Sequence, residues 1–190
     1  DNSHGSQGFE AFVTKLSPNG SAIVYSTLLG RATTQGSAVV VDSSSRAWVV
    51  GSTTSSEFFP VDGAVQGSLN GEGDAFLTVF NADGTGVVAS TFLGGAGFEE
   101  GLGVALDSLG GAWVVGRTTS VDFPVTPGAW RSAMSAAGLG VNDGFASRIE
   151  LIGGEATELA RSTYIPGGTI IANGVASVAT GAGYVAGTVD

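Results

Sequence analysis

Apolar residues in this chain come in short runs, and each run is bounded by Gly, Ser, Asn or Asp. Near the N-terminus the runs are Ala11 to Leu16, Ala22 to Leu29, Ser37 to Val41 and Ala47 to Ser52. Runs of this length between turn residues predict β-strands, and no segment sustains the 3.6-residue period of an amphipathic helix. Ala129 to Ala137 is the one stretch that reads as a short turn of helix. Ser17-Pro18-Asn19-Gly20 and its counterpart Asn81-Ala82-Asp83-Gly84 hold residues that tolerate positive φ, so they predict hairpin loops. Asp42-Ser43-Ser44-Ser45-Arg46 and Asp107-Ser108-Leu109-Gly110-Gly111 predict a second pair of tight turns. Val39-Val40-Val41 and Trp48-Val49-Val50 are apolar at consecutive positions, which implies sheets covered on both faces.

The pattern repeats with a unit of about 64 residues, a period that signals stacked supersecondary units. Ala11-Phe12-Val13-Thr14 returns as Ala75-Phe76-Leu77-Thr78 and more loosely as Gly144-Phe145-Ala146-Ser147. Ala47-Trp48-Val49-Val50-Gly51 returns as Ala112-Trp113-Val114-Val115-Gly116 and then as Gly183-Tyr184-Val185-Ala186-Gly187. The units run over residues 9–74, 75–143 and 144–190 of a single array. Radially stacked four-stranded antiparallel sheets, the blades of a β-propeller, satisfy both the repeat and the two-sided burial. After the fourth run of each unit comes a longer connection, Thr53 to Asp74 and then Thr118 to Asp143. Each carries Phe-Pro, as Phe59-Pro60 and Phe123-Pro124, then Gly-Ala; Phe59, Phe123 and Trp130 are expected to pin these connections to neighbouring sheets.

Taken in order, these motifs resemble the bacterial β-propeller repeat called SBBP. The matching segments are Phe12 to Leu16, Tyr25 to Gly30, Val40 to Asp42, Trp48 to Gly51 and Phe59-Pro60 with Gly63-Ala64, and the second unit repeats them from Phe76 to Ala129. The third unit departs: Ala160-Arg161 stands at the usual Val-Tyr, and no aspartate follows Val178. The resemblance implies an all-β propeller in exported or surface proteins of bacteria, and no established activity. If the Ala-Val-Asp strand is innermost, residues 37–93 form one blade and residues 103–164 a second. Half-blades then flank them, the outer half in Ala11 to Leu29 and the inner half in Val175 to Thr188. Propellers have about four to eight blades, so an incomplete propeller belonging to a longer protein is expected. The other reading is that two chains pool their half-blades into a six-bladed symmetric dimer.

Charge narrows the partners. Seventeen acidic residues against 7 basic ones give a net charge of −10, which disfavours nucleic acid and anionic lipid. No run approaches the roughly 20 apolar residues of a membrane span, so no membrane insertion by this segment is expected. Asp1 to Gly5 does not have the character of a signal peptide, and an export signal is expected outside this sequence. With no cysteine, disulfides and thiolate metal sites are excluded.

The remaining chemistry is sparse. His4, the single histidine, sits in a polar stretch without a serine or cysteine motif, which gives nucleophilic catalysis little support. Asp42 and Asp107 occupy equivalent positions after an apolar strand, where they would either bind calcium with nearby carbonyls or cap their own turns. A calcium loop needs several oxygen ligands at alternating spacing, which these turns lack. Asp74 and Asp143 attract the same pair of readings. Glu99-Glu100, read as a loop after Gly94-Gly95, would with Glu57, Glu72 or Asp122 supply two carboxylates for glycoside hydrolysis, or be solvated loop charge. Phe12, Phe76, Phe145, Trp48, Trp113 and Tyr184 read as repeated core positions, whereas Trp130 beside Arg131 is the candidate exposed aromatic for a surface glycan. Asn19-Gly20-Ser21 fits a glycosylation sequon and also a plain turn. The expected protein is a non-catalytic β-propeller segment, secreted, periplasmic or on a bacterial cell surface, without a cofactor unless calcium binds. Its partners would be other protein subunits or further propeller blades; the alternative is a carbohydrate-directed module, lectin-like or a glycosidase.

Overall fold

β-Branched and aromatic residues alternate with glycine-centred turns throughout, and the structure turns each apolar run into a strand. The structure, a computed structural model, describes residues 9–30, 33–58, 62–135, 141–167 and 169–189, and among these no residue is helical. The strands are β1 (Ala11–Leu16), β2 (Ile23–Leu29), β3 (Thr34–Val41), β4 (Ala47–Thr53), β5 (Asp74–Phe80), β6 (Val87–Leu93), β7 (Glu99–Leu106), β8 (Gly111–Thr118), β9 (Asp143–Ile152), β10 (Ala156–Ile165), β11 (Ile170–Ser177) and β12 (Gly183–Val189). All pairings between them are antiparallel. Two sheets have four strands, in the orders β3-β4-β5-β6 and β7-β8-β9-β10, and two have two strands, β1-β2 and β11-β12. They form no closed barrel. This is an all-β arrangement of propeller blades, left incomplete by the described strands.

The blades stack through their first strands. β7 lies across β3, β4 and β5, and β11 lies across β7, β8 and β9, while β1 packs on β3. β4 and β5 are buried along their whole length, as consecutive apolar residues require. The main core joins Trp48, Val50, Leu77 and Val79 of the first blade to Val114, Phe145, Ile149 and Tyr164 of the second. A second core joins Ala11, Val13 and Leu29 to Val49, Phe76 and Phe92.

One backbone device recurs in all three units. The first strand bulges between Gly36 and Ala38, between Gly101 and Gly103, and between Ala172 and Gly174. Opposite each bulge stands Gly51, Gly116 or Gly187, the glycine that closes the aromatic-Val-x-Gly motif. A Cβ on Gly51 would meet the Gln35 carbonyl oxygen at 1.8 Å, and one on Gly116 would meet that of Glu100 at 1.8 Å. No side chain fits there, so the motif's glycine is set by the bulge across from it.

The long connections differ in detail from the expectation. Phe58, not described as an anchor by the motif, packs on Phe76 with ring centroids 4.6 Å apart and on Phe92 at 5.4 Å. Phe123 packs the same way, 4.6 Å from Phe145 and 5.9 Å from Tyr164. Phe58 follows Ser55 at the interval by which Phe123 follows Ser120, so the two Phe-Pro dipeptides are one residue out of step. Phe59 and Pro60 lie outside the described residues. Residues 129–135 are not helical, and the rest of the expected helical turn, residues 136–137, lies outside the described residues. Their backbone serves the edge of β10 instead: the Tyr164 N–H donates to the Arg131 carbonyl at 3.1 Å, and the Arg131 N–H to Thr163 Oγ1 at 2.9 Å. With Arg131 held to the sheet, its neighbour Trp130 points outward at 75% exposure and pins nothing.

Candidate functional site

Matched positions in the repeat act as internal controls for exposure, and they pick out the two half-blades. Phe76 and Phe145 are 0% exposed, yet Phe12 at the same position of β1 is 68% exposed. In the whole blades this ring lies over the motif glycine of the neighbouring strand, paired as Gly51↔Phe76 and Gly116↔Phe145. β1 pairs with β2 alone, so among the described residues nothing occupies that side of Phe12. Tyr184 of β12 is 66% exposed where Trp48 is buried, because β12 pairs with β11 alone. Val39 and Val41 of β3 are each 59% exposed, whereas their equivalents Val104 and Leu106 of β7 are covered by the first blade. The exposed faces of β1 and β3 meet in a cleft of about 460 Å³ lined by Phe12, Thr14 and Tyr25 on one side and Ala38, Val41 and Val49 on the other, and Tyr184 lies outside it.

A second feature lies at the joint between the whole blades. Glu99 opens β7 and is fully buried; this corrects the loop reading, since pairing with Thr118 draws the strand back to Glu99. Glu99 Oε1 accepts from Thr118 Oγ1 at 2.6 Å and Ser120 Oγ at 2.5 Å, and Oε2 accepts the Gly95 N–H at 2.8 Å. Asp74, at the start of β5, accepts from Gln66 Nε2 at 2.5 Å and from the Asn70 N–H at 3.0 Å, both through Oδ2. Its Oδ1 is buried without a hydrogen-bond partner. A Cβ on Gly94 would lie 2.4 Å from Glu99 Oε2 and 2.6 Å from Asp74 Oδ1, so the two oxygens are no further apart than the sum of those distances. Burial lifts the Asp74 carboxyl to about 6, against the Asn70 hydrogen bond and with the Glu99 charge adding to it. Burial likewise raises Glu99, although the Ser120, Thr118 and Gly95 donors favour its charged form. The joint is closed: Ala96 N–H donates to Asp122 Oδ1 and Gly97 N–H to Ser120 Oγ, which seals the loop over the pair. The sequence pattern points to Asp74 alone and to Glu99 with Asp122 as a possible carboxylate pair, but not to Gln66, Thr118 or Ser120. Gln66 stands where the second unit has Arg131, each bonded to the last strand of its blade, and only that alignment singles it out.

Residues 24–59 match the family model for SBBP, described as a beta-propeller repeat. The chain carries an SBBP-type propeller repeat. No curated protein matches the chain. The matched SBBP segment begins in β2 and ends in the connection after β4, so it bridges the first half-blade and the first whole blade.

The other candidates fall into place on the repeat units. Asp42 and Asp107 cap their turns. Asp42 Oδ1 accepts the Ser44 and Arg46 N–H groups at 2.9 Å, and Oδ2 accepts Arg46 Nε at 2.7 Å and Trp48 Nε1 at 3.0 Å. Asp107 Oδ1 accepts the Leu109 and Gly111 N–H groups at 2.8 and 3.0 Å, and Oδ2 accepts Arg148 Nε at 2.5 Å. Burial works against both charges, but these donors outweigh it and hold both carboxyls below the ordinary range. Among the described residues no three His, Cys, Asp or Glu side chains are placed to hold a metal ion. Glu100 is not solvated loop charge either: it lies in β7 and accepts from Arg117 Nε at 2.7 Å. Asp143 bonds the Ser135 N–H through Oδ2 at 2.7 Å, and Oδ1 has no partner, as in Asp74; Ile170 stands where Glu99 does in the preceding unit. Trp48 is buried, and Trp113 is half-buried with its Nε1 donating to the Gly181 carbonyl at 3.0 Å. Pro124 offers its carbonyl to Ser162 Oγ at 2.6 Å. His4 lies outside the described residues.

Proposed function

We propose that this chain is a non-catalytic propeller segment whose role is to join other protein: among the described residues β1-β2 and β11-β12 are two-stranded, and their outward edges are its working surface. The observation that carries this reading is the contrast between Phe12, exposed in β1, and its buried equivalents Phe76 and Phe145. An apolar ring on an open strand edge is a template for a further strand, and such edges are normally protected unless a partner covers them. The absence of chemistry is part of the proposal. It draws support from the carboxylates Asp74 and Glu99, which are close together but sealed from substrate, and from Glu100, which is held by Arg117. Placement outside the bacterial cell rests on the resemblance of the SBBP motifs to repeats of exported proteins.

A second reading keeps one observation of its own. Trp130 is fully presented in the connection between β8 and β9, next to Arg131, as a sugar-stacking platform would be. A glycan array probed with the chain and with Trp130→Ala separates the two readings. The interaction reading expects no retained glycan; reproducible binding that disappears in Trp130→Ala would overturn it in favour of a lectin-like module.

A further inference from the structure

Four consecutive backbone N–H groups in the chain between β6 and β7 donate to side chains. Gly95 N–H donates to Glu99 Oε2 at 2.8 Å, Ala96 N–H to Asp122 Oδ1 at 2.9 Å, Gly97 N–H to Ser120 Oγ at 2.8 Å and Phe98 N–H to Thr119 Oγ1 at 2.7 Å. Residues 94–98 thus form a strap over the joint between the two whole blades. Glu99 is its hub, because Ser120 Oγ donates onward to Glu99 Oε1. The strap lies tight: a Cβ on Gly97 would fall 2.4 Å from Thr119 Oγ1, and one on Gly94 2.4 Å from Glu99 Oε2. Against it lie the buried carboxyls of Asp74 and Glu99, and of their four oxygens only Asp74 Oδ1 has no hydrogen-bond partner. We propose that this joint is a proton-operated latch: Asp74 carries a proton on Oδ1 while the strap is down, and loss of that proton lifts the strap from the joint.

Two like charges shut away from water repel far more strongly than the same charges in solvent. Oδ1 is the oxygen that can take a proton without giving up a hydrogen bond, since Oδ2 serves Gln66 and Asn70 and both Glu99 oxygens already have donors. While the proton is there, the Asp74 charge beside Glu99 is gone. Once it leaves, relief comes from admitting water, and the strap is what keeps water out. The other ionisable groups around the joint do not offset this. Asp122 adds to the burial that raises Glu99, and Tyr164, pushed up to about 12 by burial, stays neutral under the Asp122, Glu99 and Asp143 charges. Glu72, whose N–H donates to the Gly97 carbonyl, is exposed, and Glu100 is held by Arg117. The repeat supplies an internal comparison. Where Glu99 opens the first strand of its unit, the preceding unit has Thr34, bonded to Thr53 Oγ1 at 2.9 Å, and the following unit has Ile170. The latch therefore belongs to the joint between the two whole blades, and it is independent of what the outer strands join. Its direction follows from a carboxyl raised from 3.8 to about 6: the closed strap is favoured in acid, and that preference is lost as pH rises through about 6. Between pH 5.0 and pH 7.5 those two values make opening about tenfold easier.

Backbone hydrogen exchange of the full chain, followed by NMR at pH 5.0 and pH 7.5 and corrected for the intrinsic rate at each pH, reads the latch at the four strap N–H groups themselves. Protection of residues 95–98 should fall about tenfold from the lower to the higher pH. It should also lie below that of the ladder between β8 and β9, and stay unchanged in dilute urea that speeds exchange of the ladder, as a local opening requires. Asp74→Asn, which has no charge to lose, should keep residues 95–98 equally protected at both pH values. Protection that does not change with pH, or a fall that persists in full in Asp74→Asn, would overturn the proposal. Strap exchange that matches the ladder and responds to urea with it would do the same, because the proton would then act on global unfolding alone. So would protection restored at pH 7.5 by calcium chloride in the unmodified chain but not in Asp74→Asn, since the joint would then hold a cation in place of a proton.

Discussion

Replacing Asp74 by Asn should stabilise this protein at neutral pH, although Asp74 is wholly buried and hydrogen-bonded. Oδ2 accepts from Gln66 Nε2 and the Asn70 N–H, while Oδ1 has no hydrogen-bond partner and lies, like Glu99 Oε2, beside Gly94. An Asn side chain keeps the acceptor on the Gln66 side and puts its neutral amide NH₂ where the orphan oxygen stands, so the charge repulsion from Glu99 is removed. The magnitude follows from the carboxyl's rise from 3.8 to about 6. At 1.36 kcal/mol per unit this corresponds to about 3 kcal/mol as an upper bound at pH 7, and about 1–2 kcal/mol once side-chain relaxation is allowed.

The sign is that of an acid whose folded pKa is raised. The folded state holds the Asp74 proton more tightly than the unfolded chain, so this group favours folding fully below pH 3.8, and that contribution is lost as pH rises through about 6. Glu99, also raised, acts in the same direction. Urea unfolding at pH 4.5, 5.5, 6.5 and 7.5 would resolve the effect. The difference in stability between Asp74→Asn and the unmodified chain should grow through that series, and Asp74→Ala, which removes the acceptor for Gln66 and Asn70, should be destabilised by about 1–3 kcal/mol. If Asp74→Asn is less stable than the unmodified chain at pH 7.5, or if the difference does not change with pH, the buried pair is not a source of strain and the argument fails.

Further tests address the repeat itself. Gly116→Ala should destabilise the second blade by about 3 kcal/mol or more, because its Cβ would fall 1.8 Å from the Glu100 carbonyl oxygen and backbone would have to move; a near-wild-type denaturation midpoint would refute the close approach. Arg148→Met should cost about 3 kcal/mol by leaving Asp107, whose carboxyl is buried, without its guanidinium. The lowered Asp107 pKa means that its contribution is present above pH 3.8 and lost as pH falls through the folded value, so the acid sensitivity of unfolding should diminish in Arg148→Met.

Strand positions were legible because each apolar run is short and ends in a residue suited to a turn. Gly20 and Gly84 do adopt positive φ, at 71° and 72°, in the hairpins that Asn-Gly and Asp-Gly announce. The inner strands begin earlier than their apolar runs, at Thr34 and Glu99, because their first residues pair with Thr53 and Thr118 through bulges that carry no hydrophobic signature. For the same reason Glu99 read as loop charge: a carboxylate looks solvated in sequence, and its burial depends on Thr118, Ser120 and Gly95, which are brought to it only by the fold. Phe58 was hidden by its neighbour, since the Phe-Pro motif draws attention to the residue after it. The exposure of Phe12 was equally invisible, because the same residue type in the same motif is core in one unit and surface in another, according to which strands lie beside it.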